Sequence, residues 1–412
     1  MARENNSLQR DMDKSSEIRE VLPQTDSIMQ AYRGWDAFEK GNGIDIIDFD
    51  LVPPIEPQRF ETRREVLEAL LSLRDNIEPN NPQEEFIKAK LNASTYFLRA
   101  LMGENIPYEE YVENITGVKP ELIPEDEIQK QKTVMEDLMR DAGYGQGREP
   151  FQDFISRIKV TKAEAETEAK KCEETLIPVA LKSLALNDVE FPHEIRFVEE
   201  RDYWMGWTST TPEGLLLLRY NFDPIHNWVQ GDMEFMTLHE VGGHFVQAGL
   251  LRKRIADGEV NPVIGITTVQ EPHTFVGEGT ADALSYFLPE VNEKLSTLGL
   301  LAREQRATRD YLQNNAHIWI NQGRNPEELV EYIMSNHPFS NEERIRVNLD
   351  NWSKNPSRRA YQYVYGASLY WHRQLKDKLS VEKGKEYLRH AMSGYETPKQ
   401  IMRFANQLVI SK

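Results

Sequence analysis

The segment Thr237-Leu238-His239-Glu240-Val241-Gly242-Gly243-His244-Phe245 constrains this chain more than any other. It lies inside a predicted helix from about Asp232 to Ala256, with Asp232 placed to cap its start and Gly258 where a helix would stop. Two histidines four residues apart sit about 40° from each other around a helix axis and can share one ion. Here they are five apart, about 140° in a regular α-helix, and could not. A single π-bulge absorbs the extra residue and brings the rings together. Gly242 and Gly243 tolerate unusual dihedrals, and each otherwise weakens the middle of a helix by about 1 kcal/mol. The fault in helix propensity therefore falls where a distortion is needed. Glu240, beside the first imidazole, is placed to polarise a metal-bound water and take its proton.

A third ligand must come from elsewhere. Pro272 starts a second predicted helix, running toward Leu288, that carries Glu278-Gly279-Thr280-Ala281-Asp282. Glu278 and Asp282, four apart, share a face. Glu278 is the expected third metal ligand, and Asp282 the acceptor for the far nitrogen of a ligand histidine, fixing its tautomer. Three protein ligands leave one position for water, as a catalytic zinc site requires. The expected cofactor is Zn2+, one per chain.

The rest of the chain reads as a helical frame. Predicted helices cover Arg59 to Arg74, Asn81-Pro82 to Met102, Pro124 to Met139 and Thr161 to Leu184. Gly143-Tyr144-Gly145-Gln146-Gly147 lacks the Lys-Ser/Thr ending of a phosphate loop and reads as a turn. The texture changes at Phe191: Glu194 to Glu199, Tyr203 to Thr210 and Gly214 to Asn221 read as strands, with a turn at Thr211-Pro212-Glu213-Gly214. If the third is a sheet edge, it could take an extended peptide by strand addition. From Asp232 onward the pattern is helical to the end. The expected fold is mainly α, with a small, mostly antiparallel sheet beside the zinc-binding helix. Residues 1–185 form a helical scaffold and 186–412 the metal-binding region.

A net charge of −18 over 412 residues argues against nucleic acid or an anionic membrane as main partner. The single cysteine, Cys172, permits no intramolecular disulfide and fits a reducing compartment. Met1 to Glu20 has no apolar core for a signal peptide, and no stretch approaches the roughly 20 apolar residues of a membrane span. The expectation is a cytoplasmic enzyme with a peptide or small-molecule substrate.

These residues resemble known families. Glu278-x-x-x-Asp282 after a His-Glu helix resembles the gluzincin branch of metallopeptidases. The His-Glu-x-x-Gly-His spacing is similar to that of dipeptidyl-peptidase III. The wider pattern resembles a largely uncharacterised bacterial zincin-like family, with His239-Glu240-Val241-Gly242-Gly243-His244-Phe245-Val246-Gln247, then Glu278-Gly279-Thr280-Ala281, then Tyr363-Val364-Tyr365-Gly366. Helical carboxypeptidases and the angiotensin-converting-enzyme group are similar in layout. The resemblance spans Tyr203 to Leu375. It implies a helical zincin-like fold with a groove between two halves, and a zinc metallopeptidase acting on short peptides, carboxypeptidase-like in direction. It also implies that a C-terminal tyrosine donates to the tetrahedral oxyanion: Tyr363 is the expected donor, with Tyr361 and Tyr365 as rivals. His317 is a candidate substrate contact, and so is Arg359, which could grip a C-terminal carboxylate. His273 is a candidate groove residue.

Two histidines and a carboxylate also form the facial triad of non-haem iron oxygenases. Glu240 has no required role there. A metal-dependent hydrolase or lyase on a non-peptide substrate is a further alternative, and so is a metal-stabilised binding protein, which would need no base.

Overall fold

The computed structural model describes residues 22–145, 150–200, 205–211, 213–224 and 226–411. Met1 to Glu20, Gln146 and Gly147 of the glycine-rich link, Tyr203 of the second predicted strand and Pro212 of the turn lie outside them.

The N-terminal frame consists of α1 (Thr25–Lys40), α2 (Arg63–Asp75), α3 (Pro82–Leu101), α4 (Tyr108–Thr116), α5 (Glu125–Asp141), α6 (Phe151–Ile158), α7 (Lys162–Thr175) and α8 (Ile177–Ser183). Local chemistry sets several boundaries. Asn81 accepts hydrogen bonds from the Gln83 and Glu84 amides, with Pro82 in the first turn of α3. Thr161 and Glu164 form a reciprocal capping box on α7. The single helix expected over Thr161 to Leu184 is divided at Leu176, because Pro178, in the first turn of α8, cannot continue a preceding helix.

Two small sheets stand against this frame. Strand β1 (Ile47–Asp50) pairs antiparallel with β5 (Ile266–Thr268), and β2 (His193–Val198), β4 (Leu216–Asn221) and β3 (Gly206–Thr210) form a three-stranded sheet in that order. β3 runs antiparallel to β4, and β2 parallel to it. β4 is thus the central strand, with Leu216, Leu217 and Leu218 all buried. The strand considered as a possible sheet edge is therefore not one; the outer strands are β2 and β3. Strand β5 interrupts the region expected to be helical throughout, its three β-branched residues following the short turn Pro262–Gly265.

The predicted helix from Asp232 to Ala256 is present as three continuous stretches: α9 (Asp232–Thr237), a π-helical segment (Leu238–Phe245) and α10 (Val246–Ala256). Gly231 precedes it at φ 90°, and the Asp232 carboxylate accepts from the Val229 amide at 2.8 Å. Gly258, at φ 73°, follows its end. After β5 come α11 (His273–Phe287), α12 (Pro289–Asn292), α13 (Thr297–Asn321), α14 (Pro326–Asn336), α15 (Glu342–Lys354), α16 (Pro356–Arg359), α17 (Tyr361–Lys376), α18 (Val381–Ser393) and α19 (Pro398–Ile410). Helix α11 packs between the π segment and α17. The largest apolar cluster joins Ile28, Trp35 and Phe86 to Phe245, Val276 and Leu388, so one core crosses the expected boundary at residue 185.

Candidate metal centre

The π segment does what the spacing demanded. In an α-helix residues five apart diverge; here the His239 and His244 rings meet, with their Nε2 atoms 3.2 Å apart. The reason for the two glycines differs from the one expected. Neither Gly242 nor Gly243 has a positive φ. What Gly243 supplies is space: a Cβ there would lie 2.5 Å from the Cβ of Ala281 on α11. The missing side chain lets α11 approach, and that approach carries Glu278 to the two imidazoles.

Glu278 Oε2 lies 3.4 Å from His239 Nε2 and 3.6 Å from His244 Nε2. Four ligands around a tetrahedral zinc at 2.0–2.1 Å are separated by about 3.3 Å, so three donor atoms at 3.2, 3.4 and 3.6 Å have the spacing of three corners of such a site. Glu240 also reaches the group: a carboxylate oxygen of Glu240 and a nitrogen of each histidine all lie within 4.8 Å of one another. Glu278 is the better placed third donor, being close to both rings, whereas Glu240 stands 3.9 Å from His239 Nε2. Glu278 Oε2 is buried without a hydrogen-bond partner, an expensive state for a carboxylate oxygen unless a cation meets it.

The electrostatics agree. Burial pushes the Glu278 carboxyl up, but the two imidazoles more than offset this and hold it well below the usual range. Burial pushes His239 down, yet Asp282, Glu278 and Glu240 drive it up to about 10. The site demands positive charge, and without a metal only protons on the imidazoles can provide it. Asp282 stands where the sequence put it: its Oδ1 is 2.7 Å from His239 Nδ1, and both residues are almost fully buried.

Helix α17 decides among the tyrosines. Tyr361 and Tyr365, four residues apart, share the face toward the site. The Tyr361 hydroxyl donates to Glu278 Oε1 at 2.7 Å, and the Tyr365 hydroxyl donates to that of Tyr361 at 2.8 Å. Tyr363, two residues along, points to the opposite side of the helix; its hydroxyl donates to the Lys119 carbonyl at 2.9 Å and accepts from the Glu121 amide at 3.1 Å. The expected oxyanion donor is therefore a packing residue, and its two rivals face the centre.

The two expected substrate contacts are also displaced. His317 is fully buried, its ring between those of Tyr108 and Trp352. Arg359 turns away from the cleft, donating to the Ile106 carbonyl at 2.9 Å and to Asn321 at 3.1 Å, over the rings of Tyr108 and Tyr111. His273 is buried and stacked on Tyr395 at 3.8 Å, outside the groove.

The centre opens on a cleft of about 3150 Å³, lined on one side by β1 and all five residues of β3 and on the other by residues of α13, α15 and α17. Three features had no local signature. Arg306, from α13, lies 3.9 Å from Asp282 and 3.7 Å from Asp310, with its guanidinium over the Tyr365 ring. Asp48, on β1, lines the cleft some 190 residues before the histidines in sequence. Lys90 of α3 is fully buried against Glu271 and the Ile266 carbonyl, tying the frame to the strand that leads into α11. Only the Tyr361/Tyr365 pairing, at helical spacing, could have been preferred over Tyr363 from sequence.

No protein-family model matches this chain, and no curated protein matches it. Among solved structures it is similar to "the putative lipoprotein from Colwellia psychrerythraea", with a TM-score of 0.57 and 14% identity over 84% of this chain and 67% of that one. At that identity the likeness speaks for a shared fold alone. Among the described residues, no helix is long and apolar enough to cross a membrane.

Proposed function

We propose that the chain is a zinc-dependent metallopeptidase of zincin-like fold, acting in the cytoplasm. The observation that carries this reading is the set of three donor atoms from His239, His244 and Glu278, 3.2 to 3.6 Å apart, beside a second carboxylate, Glu240, that faces the cleft. Bound by these three residues, zinc supplies Lewis acidity toward a water and a carbonyl oxygen. Glu240 accepts the proton of the attacking water and passes it to the leaving nitrogen. Tyr361 fixes the Glu278 carboxylate through its hydrogen bond, and Asp282 fixes the His239 ring. Tyr365 replaces Tyr363 as donor to the developing oxyanion.

Two features favour a peptide over a compact small molecule. The cleft is several times larger than the roughly 300–1,000 Å³ of ordinary small-molecule pockets. The outer strand β3 lines that cleft with all five of its residues, where an extended chain can be added beside it. Arg359, outside the cleft, gives no anchor for a substrate carboxylate.

The test is metal content and cleavage of a mixed short-peptide library by the wild type and by Glu240→Gln. One zinc in each protein, with cleavage by the wild type alone, is the expected result. Zinc in both with no peptide cleaved by either refutes the peptidase. No bound metal refutes the site. Iron with oxygen consumption in place of zinc would favour the facial-triad oxygenase.

A further inference from the structure

Asp48 and Asp50 of β1, a strand whose pairing with β5 shifts register between Ile47 and Asp50, both line the cleft. Their circumstances differ. Asp50 is held by Arg33, through hydrogen bonds of 2.7 and 2.8 Å. The Asp48 side chain has no hydrogen bond and no ion pair with any described residue. It is half-buried and lines the same cleft as His244, Glu278 and Glu240.

Three cations of the surrounding elements have carboxylate partners of their own, and the proposed zinc is held by His239, His244 and Glu278. Lys90 is engaged by Glu271, Arg306 lies against Asp282 and Asp310, and Arg33 holds Asp50. A carboxylate withdrawn from water without a counter-ion is costly, and one facing a substrate cleft is relieved by a cation the ligand brings. One carboxylate is too small a donor set for a further metal ion, which takes several oxygen ligands. A hydrogen-bonding organic cation carries its own donors. Phe49, the next residue, packs its ring on that of Phe245, which adjoins His244, and Asp48 lines the same cleft as Glu240 and Glu278, so a cation bound there stands on the metal centre's side of the cleft.

We propose that Asp48 anchors a primary ammonium group of the substrate, the α-ammonium of a peptide or the side chain of a lysine. The proposal rests on the peptidase reading. It implies a cut near an amino-terminus or beside a lysine, in place of the carboxypeptidase direction.

The test is calorimetric binding of trialanine, N-acetyl-trialanine and N-acetyl-Ala-Lys-Ala to the zinc-loaded Glu240→Gln protein, with and without Asp48→Asn, together with zinc content. A charge-assisted hydrogen bond lost corresponds to roughly ten- to hundredfold in affinity. Trialanine should bind that much more tightly than its acetylated form, and Asp48→Asn should abolish the difference while keeping one zinc. The same preference for the lysine peptide over N-acetyl-trialanine, also lost in Asp48→Asn, would identify the side chain as the source. Equal binding of all three peptides overturns the anchor, as does a preference that survives Asp48→Asn. Loss of zinc in Asp48→Asn would place Asp48 in the metal site and overturn it too. If no peptide binds, the anchor and the peptide reading fall together. If the preference holds but the wild type cleaves nothing, the peptidase falls and the anchor stands.

Discussion

Gly243→Ala should disable the proposed zinc site, and Gly242→Ala, one residue away, should not. At Gly243 an added Cβ would lie 2.5 Å from the Ala281 Cβ and 2.9 Å from its Cα. Carbon atoms are comfortable at about 3.5–4.0 Å, so the π segment and α11 must separate by about 1 Å. Ala281 is three residues from Glu278 and one from Asp282, and His244 adjoins Gly243, so the separation falls on the 3.4 and 3.6 Å spacings between the imidazoles and Glu278. A metal site tolerates only about 0.2 Å in ligand distance. Losing a ligand's outer partner typically costs 10–100-fold in affinity, and displacing a ligand should cost more, so zinc affinity should fall by over about 100-fold. The overpacking costs about 1–3 kcal/mol, reduced by about 1 kcal/mol for removing a helical glycine. At Gly242 the neighbours are methyl ends of Ile177, Leu238 and Leu284, at 3.1, 3.2 and 3.6 Å, which can turn aside. That variant should keep zinc and be within about 1 kcal/mol of the wild type. Chelator-competition titration and urea unfolding of the metal-free proteins measure both quantities. Wild-type zinc affinity in Gly243→Ala would refute the close-approach argument; equal damage at both positions would favour dihedral freedom instead.

Asp282→Asn should lower zinc affinity about 10–100-fold, because it removes the charged partner 2.7 Å from His239 Nδ1; competition titration checks this. Tyr365→Phe should lower kcat by about 100-fold or more without loss of zinc, whereas Tyr363→Phe should leave kcat alone and cost about 1 kcal/mol of stability for the hydrogen bonds to the 119–121 backbone. Kinetics and melting on the two variants separate the roles, and the opposite pattern would restore Tyr363 as donor. Burial pushes the His317 imidazole down to about 3, below the 6.5 it regains on unfolding, so the unfolded chain binds the extra proton. The stability tied to this group is complete above pH 6.5 and is lost as pH falls toward 3, by about 1.4 kcal/mol per pH unit. In His317→Phe the slope of stability against pH between 6 and 4 should be shallower by about that amount; an unchanged slope would mean that His317 takes up a proton in the folded protein.

The sequence by itself determined the elements whose causes are local. Asn81-Pro82, the Thr161–Glu164 box and Pro272 mark helix starts in side-chain chemistry that acts within one turn. The five-residue spacing of His239 and His244 required a π segment, since no regular helix lets both rings meet, and Glu278 and Asp282 declared their shared face by their own spacing. Tertiary structure decided what depends on where elements lie relative to one another. Whether Tyr361, Tyr363 or Tyr365 faces the centre depends on the rotation of α17 against α11, and the aromatic run Tyr361 to Tyr365 offers a tyrosine to either side. Arg359 and His317 read as polar candidates, yet each is absorbed by packing against Tyr108. Strand order put β4 in the middle, with β2 and β3 outside it, because pairing is a property of two strands and neither records it alone. Asp48 and Arg306 reach the centre from β1 and α13 across gaps of many residues, and the contact that admits Glu278 depends on a side chain that Gly243 does not have. Patterns of three to five residues carry the geometry of one helix; the cleft is assembled from segments that only the shared core brings together.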